Sequence, residues 1–222
     1  MNRESLQTYE RSSASSVIST NKVLKNTYML LGMTLAFSAL CSYVAIAMNM
    51  PMFNVWITIG VYFGLLFLVN KTAESAAGIL SVFALTGWLG LTTGPILNLY
   101  MAATGGSDIV TLALGGTAAI FLGLSAFALT TKKDYGFMAK FVVVGMIVAF
   151  VCAIANIFLA IPALGLAISA AFMVLSSAVI LMQTSAIVNG GETNYIMATV
   201  TLFVSIYNIF MSLLNLLSAF DD

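Results

Sequence analysis

Residues 195–219 read Y-I-M-A-T-V-T-L-F-V-S-I-Y-N-I-F-M-S-L-L-N-L-L-S-A, a stretch without a single charged side chain. A helix needs about 20 mostly apolar residues to cross the hydrocarbon of a bilayer, and this stretch is long enough. Its polar residues are not scattered. Thr201, Ser205, Asn208, Ser212 and Asn215 recur at intervals of four, three, four and three, which draws one narrow stripe along a helix. Polar groups are costly against lipid, so the stripe marks the side that faces protein or water.

Working back toward the N-terminus, six more stretches have the same character: about 28 to 49, 53 to 70, 76 to 101, 108 to 130, 138 to 160 and 163 to 186. The breaks between them carry the expected punctuation. They are Asn49 with Pro51, Lys71 to Glu74, Thr104 to Asp108, Thr131 to Asp134, Pro162, and Asn189 to Asn194 with Gly190 and Gly191. The fold class expected is an all-α integral membrane protein of seven transmembrane helices.

Composition agrees with that reading, since only 7% of the 222 residues are charged and 61% are hydrophobic. A soluble domain carries about 25% charged residues, so most of this surface cannot face water. The eight basic and eight acidic residues cancel, and nothing in the charge argues for nucleic acid. Histidine is absent, which removes zinc sites of the H-E-x-x-H type and any Ser-His pair. Cys41 and Cys152 lie in apolar runs and read as small buried hydrophobes. No nucleophile with a matching base, no metal site and no cofactor motif is found. An enzyme is not expected.

Basic residues fix the orientation, because Lys and Arg of short loops stay on the cytoplasmic side. Arg3, Arg11, Lys22 and Lys25 precede the first span, Lys71 follows the second, and Lys132, Lys133 and Lys140 follow the fourth. The alternation places the N-terminus in the cytoplasm and the C-terminus, ending Asp221-Asp222, outside. Residues 1–26 are then a cytoplasmic tail, mobile because its serine-rich composition cannot bury enough apolar surface to fold alone, and 27–222 form the transmembrane domain. Ala45-Ile46-Ala47 imitates a signal-peptide cleavage site, but the polar lead is too long for one.

Further polar stripes are Ser169, Ser176 and Gln183 in the sixth span and Thr27, Thr34, Ser38 and Cys41 in the first. They either line a common polar interior or join helices by hydrogen bonds. Gln183 and Asn208 carry the strongest hydrogen-bonding groups of that candidate interior, and the amide of Asn156 is likewise costly to hide. No charge lies deep in a span, so the usual signature of proton-coupled transport is missing. Gly60-x-x-x-Gly64 and Gly90-x-x-x-Gly94 read as close-packing pairs, and Pro95 after Gly94 predicts a kink or break of the third span around Gly94, Pro95 and Asn98.

Several strings carry a family resemblance: N-K-V-L-K-N-T-Y at Asn21 to Tyr28, T-G-W-L-G-L-T-T-G-P-I-L-N at Thr86 to Asn98, and T-T-K-K-D at Thr130 to Asp134. A-N-I-F at Ala155 to Phe158, G-G-E-T-N-Y-I-x-A-T-V at Gly190 to Val200 and L-F-V-S-I-Y-N-I-F at Leu202 to Phe210 complete the set. Over nearly its whole length the chain resembles the Bax inhibitor-type (TMBIM) family of transmembrane proteins, and within it the bacterial YccA branch. The resemblance implies six helices surrounding a central C-terminal helix, in the bacterial inner membrane. For that branch it implies binding and restraint of the membrane-anchored ATP-dependent quality-control protease (FtsH type), with the N-terminal tail as the handle. For other branches it implies a pH-sensitive calcium leak, through an acidic pair on the last two helices and a basic partner near the end of the second. The aligned positions hold Gln183 and Ser205, which cannot ionise, while Lys71 remains near the place of the basic partner. Calcium prefers carboxylate oxygens and a protonation switch needs a titratable group, so the substitution weighs toward partner regulation and leaves calcium as the alternative ligand.

Overall fold

A computed structural model describes the backbone of residues 3–103 and 108–220, with side chains described for 20–102 and 108–220. The expected tail therefore lies largely outside the described side chains, as do most of the Thr104 to Asp108 break and the terminal aspartates. Seven helices follow one another: α1 Arg3–Ala47, α2 Val55–Thr72, α3 Ala77–Ala103, α4 Asp108–Thr131, α5 Ala139–Leu159, α6 Pro162–Val188 and α7 Tyr195–Ser218. A single 3₁₀ turn, Gly136–Met138, leads into α5, and no strand occurs among the described residues. All seven helices are long and apolar enough to cross a membrane, α1 through its segment Thr20–Ala47. The chain is a multi-pass membrane protein.

Local chemistry sets the helix ends. The Asn54 side chain caps α2 by accepting the Trp56 N–H at 2.9 Å. Pro162 occupies the first turn of α6, where its missing N–H has no helical partner to lose. α5 ends where Ala160 turns left-handed at φ 49°. α1 runs on through the expected boundary at residue 26 with no break in its backbone.

α7 is the central helix. Leu202, Ile209 and Leu214 are fully buried along it, with Phe203 beside them, and it packs against α1, α3, α4 and α6. α2 lies outside on α3, and α5 outside on α6. These outer helices meet through Trp56 with Phe158 and Phe63 with Phe150, at ring-centroid distances of 5.9 and 5.6 Å.

In lipid the hydrophobic effect does little to hold helices together, so close approach matters more. A Cβ on Gly94 would stand 2.6 Å from the Ala45 Cβ and 2.7 Å from the Ser42 carbonyl oxygen, and one on Gly90 would strike the Ser38 carbonyl. This pair seats α3 directly on α1. The Gly60 and Gly64 pair does not behave as expected: no atom lies within 4 Å of either prospective Cβ, because α2 turns its other side to the bundle. The break expected at Gly94, Pro95 and Asn98 is also absent. α3 runs through Pro95 to Ala103, its backbone clamped against α1 at Gly94, and the Thr92 and Thr93 hydroxyls bond to carbonyls of Trp88 and Leu89 one turn earlier.

Candidate functional site: the polar seam of α6 and α7

At the end of the bundle shared by the N-terminal stretch and the α2–α3, α4–α5 and α6–α7 links, side chains tie five segments together. Asn194 caps α7 through Oδ1, which accepts the N–H groups of Ile196 and Met197 at 2.9 and 3.1 Å. Its Nδ2 donates to the Ala73 carbonyl at 3.0 Å, fixing the α2–α3 turn to the start of α7. The Ser185 hydroxyl donates to the Lys133 carbonyl at 2.6 Å and accepts the Tyr135 N–H at 3.3 Å, which docks the α4–α5 link on α6. Thr199 donates to the Thr27 carbonyl at 3.3 Å, and the Tyr28 and Thr184 hydroxyls meet at 3.4 Å, which adds α1.

The G-G-E-T-N-Y string supplies the centre of this lattice. Gly190 takes φ 74°, the left-handed turn that a side chain disfavours, and its prospective Cβ lies 3.5 Å from the Thr20 hydroxyl. α1 therefore passes directly beside the α6–α7 turn. Glu192 accepts the Asn194 N–H at 2.8 Å with one carboxylate oxygen and the Gln183 amide at 3.3 Å with the other.

From Gln183 the polar stripes of α6 and α7 run toward the opposite end. Ser205 is buried and donates to its own helix, at the Thr201 carbonyl, at 2.8 Å. Ser176 is fully buried and its hydroxyl has no partner among the described residues. Beyond it, Asn208, Ser212, Asn215 and Ser169 line a cavity of about 350 Å³ with Tyr100, Phe172 and Met211. There the Asn215 amide donates to Ser169 Oγ at 2.7 Å, and Tyr100 donates to Asn215 Oδ1 at 3.4 Å.

The seam is thus a polar cavity at one end, a tight lattice at the other, and bonded or isolated hydroxyls between. It can hold water or hydrogen-bonding groups, but among the described residues no acidic or basic side chain lies along it further in than Glu192. Gln183 and Ser205 do not bond to each other: the first reaches the loop carboxylate and the second its own backbone. Asn156 stands apart from both. Its Oδ1 accepts the Ile161 N–H at 3.1 Å and closes the α5–α6 turn, roughly 33 Å of helix from Gln183 at 1.5 Å per residue. Lys71 is exposed in the last turn of α2, and Asn98 is half-buried on α3.

Sequence reasoning missed Asn194 and Ser185 as the connecting groups. An Asn immediately before an apolar run was the available signal for the cap, whereas a serine bonding across fifty-two positions leaves no local trace.

The family model described as "Inhibitor of apoptosis-promoting Bax1" matches residues 20–222. The chain belongs to the Bax inhibitor family. It is 49% identical over 202 residues to the protein named "Modulator of FtsH protease YccA" of Escherichia coli, covering 91% of this chain and 92% of that one. An uncharacterized protein of Pasteurella multocida is 50% identical over 192 residues, covering 86% and 87%. An uncharacterized membrane protein of Vibrio cholerae is 41% identical over 212 residues, covering 95% of both chains. The similarity to these proteins extends over 86–95% of this chain.

Proposed function

We propose that the chain is a bacterial inner-membrane regulatory protein that binds and modulates a membrane-anchored ATP-dependent quality-control protease of the FtsH type. The observation that carries this is the 49% identity, over 91% of the chain, to the protein named as modulator of that protease. Orientation enters through charge. Lys22, Lys25, Lys71, Lys132, Lys133 and Lys140 all belong to the lattice end, which the positive-inside tendency makes cytoplasmic, with the C-terminus periplasmic. Residues 1–26 then leave the membrane beside the α6–α7 turn, on the side where an ATP-dependent protease works, and serve as its handle.

The runner-up, a calcium leak along the seam, draws on the cavity around Asn208 and Asn215. It lacks carboxylate ligands, and no group of three or more acidic, cysteine or histidine side chains that could hold a metal occurs among the described residues. The test is protease activity in cells. Overproduction should lengthen the half-lives of the protease's other membrane substrates, and unchanged half-lives would remove the reading.

A further inference from the structure

A second cavity, of about 540 Å³, lies away from the seam between α1, α3, α4 and α7. Its lining is overwhelmingly apolar, with Leu35, Phe121 and Phe203 at its deep end and Ile46 at its outer end. Its mouth opens sideways between α1 and α4, where the lining residues Tyr43, Leu114 and Leu122 are 68%, 56% and 63% exposed on the surface that faces lipid. Ser42 lines the cavity at 7% exposed, with its hydroxyl oxygen buried out of reach of an occupant.

We infer that this cavity holds one acyl chain of a bilayer phospholipid, with the chain end at Leu35 and the ester end at the outer rim beside Ile46. The dimensions decide the occupant. From Ile46 to Leu35 the cavity runs along α1 for about 16 Å, which matches the depth of one leaflet, about half of a 30 Å hydrocarbon core. Ile46 stands next to the end of α1 at Ala47, the level at which ester groups meet the hydrocarbon. A volume within the usual range for bound small molecules, a lateral mouth and an apolar depth fit a tail entering from that leaflet.

The test uses the full chain in vesicles of phosphatidylethanolamine and phosphatidylglycerol, doped with a phosphatidylethanolamine that carries a photoreactive diazirine in one acyl chain. After illumination the adducts are mapped by mass spectrometry. Labelling should concentrate on Leu35, Phe121 and Phe203, about tenfold above the outward-facing Phe67 and Phe141. Ala118→Trp and Ala39→Trp, at the exposed edge of the mouth, should bring those three positions down to the level of Phe67 while the melting temperature holds. Unlabelled phospholipid should compete without any variant being needed. Even labelling over all five positions would overturn the proposal, as would labelling unchanged by either tryptophan in a folded variant. Displacement by free fatty acid but not by phospholipid would also overturn it.

Discussion

At the scale of single residues, the side chains that matter most are those with partners far away in sequence. Asn194 both caps α7 and holds the α2–α3 turn. Asn194→Ala should therefore cost about 1.5–5 kcal/mol, the sum of a lost cap and an unsatisfied carbonyl, seen as a lower melting temperature in detergent. Ala160 sits left-handed at φ 49°, so Ala160→Gly should raise the same melting temperature, by up to about 1 kcal/mol of relieved backbone strain. Residue types were legible in the sequence while their partners were not. The size and hydrogen-bonding capacity of Gln183, Asn208 and Asn156 marked them as groups needing satisfaction. That Gln183 finds Glu192, Asn208 a cavity and Asn156 its own turn depends on which helix ends meet, and local pattern does not encode that.

Among elements, the spans themselves were readable because twenty apolar residues and their polar punctuation leave few alternatives. The seven expected stretches coincide with α1 to α7 except at the start of α1, whose helix begins at Arg3. What pattern could not supply was direction. Two G-x-x-x-G pairs look alike as strings, yet Gly90 and Gly94 press into α1 while Gly60 and Gly64 meet nothing in this chain. Gly94→Ala should destabilise by about 1–3 kcal/mol through overpacking, whereas Gly60→Ala and Gly64→Ala should stay within about 0.5 kcal/mol of the parent. Comparative unfolding of the three variants in detergent separates these outcomes. Equal losses would mean that α2 meets a neighbour through that face. Pro95 teaches the same lesson, since a residue that disrupts an isolated helix is held straight enough by a partner to leave α3 continuous.

Over the whole molecule, α7 forms an uncharged polar axis and the lattice end gathers the turns, the lysines and the departure point of the N-terminal stretch. With neither histidine nor an intramembrane carboxylate on the seam, any ion flux through reconstituted protein should keep a flat profile across pH 6–8, around the usual histidine range. The apolar span of α1 starts at Thr20, which lies by Gly190, and Thr27 is fully buried. Removing residues 2–18 should accordingly leave the seven-helix domain folded while deleting the proposed handle. The most direct measurement is co-purification of the membrane-anchored protease from solubilised membranes with the full chain and with that truncation, at matched expression and melting temperature. The full chain should bring down the protease, and the truncated one should leave its degradation of other substrates unrestrained and be itself resistant to it. Absence of the protease from the full-chain preparation, with its turnover of other substrates unaffected, would contradict the account.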